Sequence, residues 1–161
     1  MNRNELLEGM DIRKALFGLF FAFANRLQAA GDSFYEEITC KQFFLLACLS
    51  LFPEEPPTLN DLANVMGSSH QNVKQIAGKL EKSGYVVMAG DEADRRKIRV
   101  QAAEKVKCLE EKYRTAGDLF MEELFAGVTE GELQSTFAVL SRIEQNLMDR
   151  KEKMNEKYRD L

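Results

Sequence analysis

The chain has 161 residues, the length of a single domain. Its 45% hydrophobic and 30% charged residues exclude a largely disordered chain, and 3 Pro with 10 Gly exclude a collagen-like or linker-like one. With 22 Lys+Arg against 26 Asp+Glu the net charge is −4, which favours solubility and, taken globally, argues mildly against a nucleic-acid partner. Three cysteines, at 40, 48 and 108, contain no C-x-x-C pair, so neither a disulfide framework nor a zinc-ligand pattern is present, and a reducing cytosol suits them.

The first predicted element is a helix over residues 12–28, with Ile12, Leu16, Leu19, Phe23 and Leu27 on one face and Phe17, Phe20 and Phe21 filling much of the rest. A helix apolar nearly all round must be covered on several sides, inside the domain or by a second subunit. Its apolar run, residues 15–24, is half of the ~20 residues a bilayer needs, and Lys14 and Arg26 bracket it, which excludes a membrane anchor. Arg3, Arg13 and Lys14 give a secretory signal some standing, but Glu5, Glu8 and Asp11 sit among them and no small-x-small site follows directly; the cytoplasm is the expected location. Gly31-Asp32 reads as the helix stop.

Thr39 with Gln42 forms a capping box for a second helix reaching Phe52, ended by Pro53, Pro56 and Pro57. Thr58 with Asp61 caps a short helix from Leu59 to about Met66. A further helix starts beyond Gly67, with Val73, Ile76, Ala77 and Leu80 as its buried stripe and Gly84 as its stop. Residues 85–88 and 98–100 read as two short strands joined by a polar tip, 89–97. The helical period returns from Glu104 through Leu124, breaks at Gly127, and resumes after a Thr129–Glu132 cap through Leu133, Phe137, Leu140, Ile143 and Leu147, leaving a solvated, frayed tail. This is a mainly α fold with a small β-hairpin wing.

Between residues 58 and 84, Ala63 is small enough for two helices to cross closely, Gly67 suits a positive-φ turn, and Val73, with Leu62, Met66 and Ile76, packs the inner face. This is the helix-turn-helix pattern, whose second helix enters the DNA major groove. That helix would present Ser69, His70, Gln71, Asn72, Lys74, Gln75 and Lys79: amides able to pair with adenine and cations able to meet phosphate, with no acid before Glu81. A merely solvated helix face usually intersperses Glu with Lys. Charge is also partitioned, since residues 69–99 hold seven cations and four anions, net +3, against −7 for the remainder. The single His, without a metal-ligand cluster or paired nucleophile, gives no basis for catalysis, a metal or a cofactor.

The run L-A-x(3)-G-x(5)-V-x(2)-I-x(3)-L-E-K-x-G-Y-V, followed by D-x-x-D-R-R-x-x-R-V, resembles the winged helix-turn-helix of the multiple antibiotic resistance regulator (MarR) family, and Ile38-Thr39-x-x-Gln42-Phe43 resembles the start of that family's second helix. The resemblance implies one MarR-like domain over 1–161: a winged helix-turn-helix at 36–101, with dimerisation helices at 5–30 and 103–157. It implies a homodimeric, sequence-specific regulator on double-stranded DNA at a pseudo-palindromic operator, a repressor responsive to a small lipophilic or phenolic ligand or to oxidation. By motif position Asp94 orients a wing arginine, Arg96 enters the minor groove and Arg95 contacts phosphate or groove. Ser68 with Gln71 makes a formal capping box, while the family register places the cap at Ser69.

Where the family usually continues Leu-Thr-x-x-Gly, this chain has Ala102-Ala103-Glu104-Lys105-Val106, so the customary cap before the next helix is missing. Phe17, Phe20, Phe21, Phe43 and Phe44 fall on the helices that in the family wall an effector pocket, although aromatic stripes at helical spacing are more often plain core or dimer packing. Cys40, in the first turn of a capped helix beside Lys41, is a candidate redox thiol; a buried, inert cysteine is the more frequent alternative. A winged helix serving only as a protein-interaction module is the competing function, supported by the net acidity.

Overall fold

The computed structural model describes residues 9–91, 93–94 and 96–159. Its elements run α1 (Ile12–Phe34), α2 (Cys40–Leu49), α3 (Leu59–Val65), α4 (His70–Lys82), β1 (Val86–Gly90), β2 (Ile98–Ala102), α5 (Lys105–Leu124) and α6 (Glu130–Arg159). The chain divides into two compact units, one ending at Glu111 and the other starting at Lys112.

The first unit holds the core. Leu45 of α2, Leu59 and Leu62 of α3, Val73 and Leu80 of α4 and Val100 of β2 are fully buried, with Val106 and Leu109 at the start of α5 close behind. The period-3.6 stripes of α2, α3 and α4 therefore converge on one centre, closed by Val100 of β2. Met66, assigned to the inner face, is only half-buried, because it follows the last residue of α3 as its C-cap.

Local caps set most boundaries. Thr39 N–H donates to Gln42 Oε1 (2.8 Å) while Gln42 N–H donates to Thr39 Oγ1 (3.3 Å), and Thr58 with Asp61 repeats the exchange at α3. The second helix ends at Leu49 rather than Phe52: Ser50, Leu51 and Phe52 bond back only three residues, the tightened turn that leads into Pro53.

The stop expected at Gly31 is overturned, since α1 runs through it to Phe34. Gly31 is buried, and a Cβ there would collide with Sγ and lie 2.7 Å from Cβ of Cys40, so its small size serves the close approach of α2. Elsewhere on α1, Ile12, Phe17 and Phe21 are exposed.

The two strands form an antiparallel hairpin in the register Val86↔Ala102 to Gly90↔Ile98, two residues longer at each strand's C-terminal end than expected. Thr58 bridges Arg99, and Val100 N–H donates to Pro57 O (2.9 Å), so the segment after α2 lies along the hairpin's root. At the start of α5 the backbone N–H groups of Val106 and Lys107 donate to Ala103 O and Glu104 O, and the helix starts at Lys105. In the second unit Thr129 and Glu132 cap α6, whose backbone stays helical to Arg159 through the segment expected to fray.

Candidate nucleic-acid interface

The second helix of the helix-turn-helix is built by a glycine turn and a serine cap. Gly67 sits at φ +59°, a left-handed conformation that glycine adopts without strain, and lets Ser68 N–H reach back to Ala63 O (2.9 Å). Ser69 is the N-cap, its Oγ accepting from Asn72 N–H (3.2 Å), which settles the register in favour of Ser69 over Ser68. Ser68 is not idle: its Oγ accepts the side-chain amide of Asn72 at 2.8 Å.

With Val73, Ile76, Ala77 and Leu80 buried, helical periodicity turns the remaining positions outward. Ser69, His70, Gln71, Asn72, Lys74, Gln75 and Lys79 are all exposed, as expected. The face therefore offers amides and ammonium groups together, donors for base edges and for phosphate. Lys79 and Lys82 occupy the last turn, where they also complement the negative end of the helix dipole.

One tie fixes this helix to the hairpin and a second fixes its C-terminal end to the start of α5. Glu81 accepts the Met88 N–H of β1 (3.0 Å), and Lys105 Nζ reaches Ser83 O (2.9 Å) while lying 4.3 Å from the centre of the Tyr85 ring. Neither tie was visible in the sequence pattern, where Glu81 marked only the first acid of the helix.

At the hairpin tip Asp94 accepts both the backbone N–H and Nε of Arg96 at 3.1 Å, with Nη2 at 3.4 Å. The Arg96 guanidinium holds the Asp94 carboxyl below its ordinary range. Arg96 itself is 91% exposed, so a carboxylate orients a guanidinium that remains open to solvent. Arg95 lies outside the described residues.

Asp91 and Arg99, which enter the sequence pattern only as members of the wing motif and of its charge count, have a distinct structural place. Asp91 is the one charged residue among the buried ones described, and it accepts from Arg99 Nε and from the backbone N–H groups of Ala93 (2.9 Å) and Asp94 (2.7 Å). The period-2 alternation of β2 offered a signal: Val100 points into the core, so Arg99 faces the other side, where residues 55–57 cover it. These charges neutralise each other within the protein, so they do not add to the outward-facing positive field.

The candidate effector and redox residues lie in α1 and α2. Phe17, Phe21, Phe43 and Phe44 are exposed and Phe20 is half-buried; Phe17 meets Phe21 edge-on at 5.2 Å, and Phe43 stacks on Tyr35 at 4.7 Å. They line neither of the two clefts described, one of about 450 Å³ beside Glu55, Asp91 and Arg99, the other of about 400 Å³ between Leu46, Phe52 and Val106.

The redox candidacy of Cys40 is not supported, and its thiol is the inert form. Partial burial and the Asp32 carboxylate push the thiol up against a smaller opposing effect of Lys41, and Asp32 Oδ1 already accepts Cys40 N–H (2.7 Å). Among the described residues no His, Cys, Asp and Glu group could hold a metal, and no helix is long and apolar enough to cross a membrane.

A family model described as the MarR family matches residues 38–97. The transcriptional activatory protein BadR of Rhodopseudomonas palustris is 32% identical over 94 residues, covering 54% of this chain and 51% of BadR. The chain spans about half the length of the curated relatives it matches. A MarR/EmrR family regulator from Acinetobacter sp. ADP1 superposes with a TM-score of 0.75 at 17% identity, covering 87% of this chain and 99% of that one. The S. aureus MepR–DNA complex gives 0.69 at 21%, covering 80% and 95%. These likenesses establish the winged-helix fold.

Proposed function

With the match of residues 38–97 to a MarR-family model as the premise, we propose that this protein is a transcriptional regulator that binds double-stranded DNA as a homodimer. The observation that carries the reading is the shared presentation, in one compact unit, of an amide and lysine face on α4 with no acid before Glu81 and an exposed, carboxylate-oriented Arg96 on the wing. One suits the major groove, the other the minor groove. Gln71, Asn72 and Gln75 serve as base readers, with Ser69, His70, Lys74, Lys79 and Arg95 as further contacts, Asp94 as the wing-structuring carboxylate, and 36–101 as the reading region.

Exposed apolar residues on α1 (Ile12, Phe17, Phe21), α5 (Leu119, Met121) and α6 (Phe137, Leu147) support the dimer. Such a dimer would set two recognition helices one DNA turn, ~34 Å, apart. The open placement of Phe17, Phe21, Phe43 and Phe44, with Phe20 half-buried, favours subunit packing over an effector pocket within one chain, and the raised Cys40 thiol does not support oxidant sensing there.

Titrating the protein against duplexes selected from genomic fragments, at two salt concentrations, tests the proposal. A steep salt slope is expected, and Arg96→Ala should cut affinity about tenfold or more while leaving the unfolding midpoint in place. Salt-insensitive or absent retention would instead favour the protein-interaction module.

A further inference from the structure

Arg99 is committed to the protein interior. Nε donates to Asp91, Nη1 to the Pro56 carbonyl (2.6 Å), and Nη2 pairs with Glu55 Oε1 (2.8 Å). A guanidinium held by two carboxylates and a carbonyl, with 26% of its side chain exposed, has little left to offer a phosphate. Its partners lead elsewhere. Asp91 fixes the Asp94 N–H, Asp94 fixes the backbone and guanidinium of Arg96, and Arg96 alone of this series is open to solvent. The other end of the series is anchored, because Pro57 O accepts Val100 N–H and Thr58 both bridges Arg99 and caps α3.

A surface pair such as Asp94–Arg96 is weak when both members are free to move. Here one member is not free, because its backbone is tied to a buried carboxylate. From this geometry we infer that Asp91 and Arg99 are positioning residues of the wing: they transmit the place of residues 55–57 through Asp94 to the exposed guanidinium of Arg96. The relay is a property of the free protein; its consequence for affinity rests on the reading of Arg96 as a DNA contact.

Relaxation of the Arg96 Nε–H bond vector, measured on the uncomplexed protein, tests the relay directly. The order parameter should fall in Asp91→Asn as far as in Asp94→Ala; an unchanged value overturns the inference. Arg99→Lys, which keeps the charge but cannot make three directed bonds, is the second variant should Asp91→Asn fail to fold, and it should show the same loss.

On duplexes selected by the parent protein, Arg96→Ala should cost about tenfold in the parent but less than about twofold in the Asp91→Asn background, since an unpositioned arginine has little left to lose. Equal factors in both backgrounds refute positioning. Near-parental affinity of Arg99→Lys refutes positioning by Arg99. A parent that retains no duplex refutes the DNA reading alone, and the relaxation data then decide the relay.

Discussion

Gly31 and Cys40 meet where α1 crosses the start of α2, so closely that a Cβ on Gly31 would lie 2.7 Å from Cβ of Cys40 and overlap its sulfur. Truncating Cys40 to Ala would remove the sulfur overlap but leave the Cβ one. Gly31→Ala should therefore destabilise the protein by ~1–3 kcal/mol, the usual cost of overpacking, and Cys40→Ala should recover only part of it. Gly18, on the same helix with nothing within 4 Å, is the control: Gly18→Ala should be neutral or stabilise by up to ~1 kcal/mol through helix propensity. Urea unfolding of the three variants checks this, and a Gly31→Ala variant as stable as Gly18→Ala contradicts the contact.

The same junction sets the chemistry of Cys40. Because burial and Asp32 both disfavour its thiolate, the folded protein should alkylate at Cys40 more slowly at pH 8 than the urea-unfolded chain does, and Asp32→Asn should speed the reaction. Mass-spectrometric tracking of iodoacetamide labelling gives both rates. A folded-state rate above the unfolded one would restore Cys40 as a candidate sensor.

What the sequence made legible was local. The Thr39–Gln42, Thr58–Asp61 and Thr129–Glu132 caps each lie within three residues, and each stands in the structure. The α4 stripe and its outward face followed from a single period. Gly31 was misread because a glycine that ends a helix and one that admits a neighbour look alike until the neighbour is known. Arg99 was passed over for a similar reason: its Pro56 partner lies 43 residues away. For α1 the apolar composition was plain, but no periodicity says whether its own chain or another covers it.

Asn72 has its backbone capped by Ser69 and its side chain held by Ser68. The two serines should separate by experiment. Ser69→Ala removes a helix N-cap and should cost ~1 kcal/mol of stability. Ser68→Ala leaves the cap and should cost less than ~0.5 kcal/mol, yet it frees the Asn72 amide, so affinity for a selected duplex should rise ~2–10-fold if Asn72 must otherwise give up that hydrogen bond to reach a base. Anisotropy titrations of both variants decide it; unchanged affinity in Ser68→Ala means that the Asn72 side chain stays on Ser68 in the complex.

Acid should loosen the wing before the helices. Hydrogen bonding to Arg99 holds the Asp91 carboxyl below its ordinary range, and Arg96 does the same for Asp94. In both cases the unfolded state binds the proton more readily, so the stabilisation is complete above the ordinary carboxylate value of ~4 and is lost as pH falls through the lowered native values. The amides of Ala93 and Asp94, which donate to Asp91, report this directly. Corrected for intrinsic rates, their hydrogen-exchange protection should hold steady from pH 7 to 5 and decline below pH 4, while the amide of fully buried Leu62 keeps its protection further down. Asp91→Asn should show low, pH-independent protection at both amides. A decline already under way between pH 7 and 5 would assign the titrating group to some other side chain and remove Asp91 as the charge on which the wing is built.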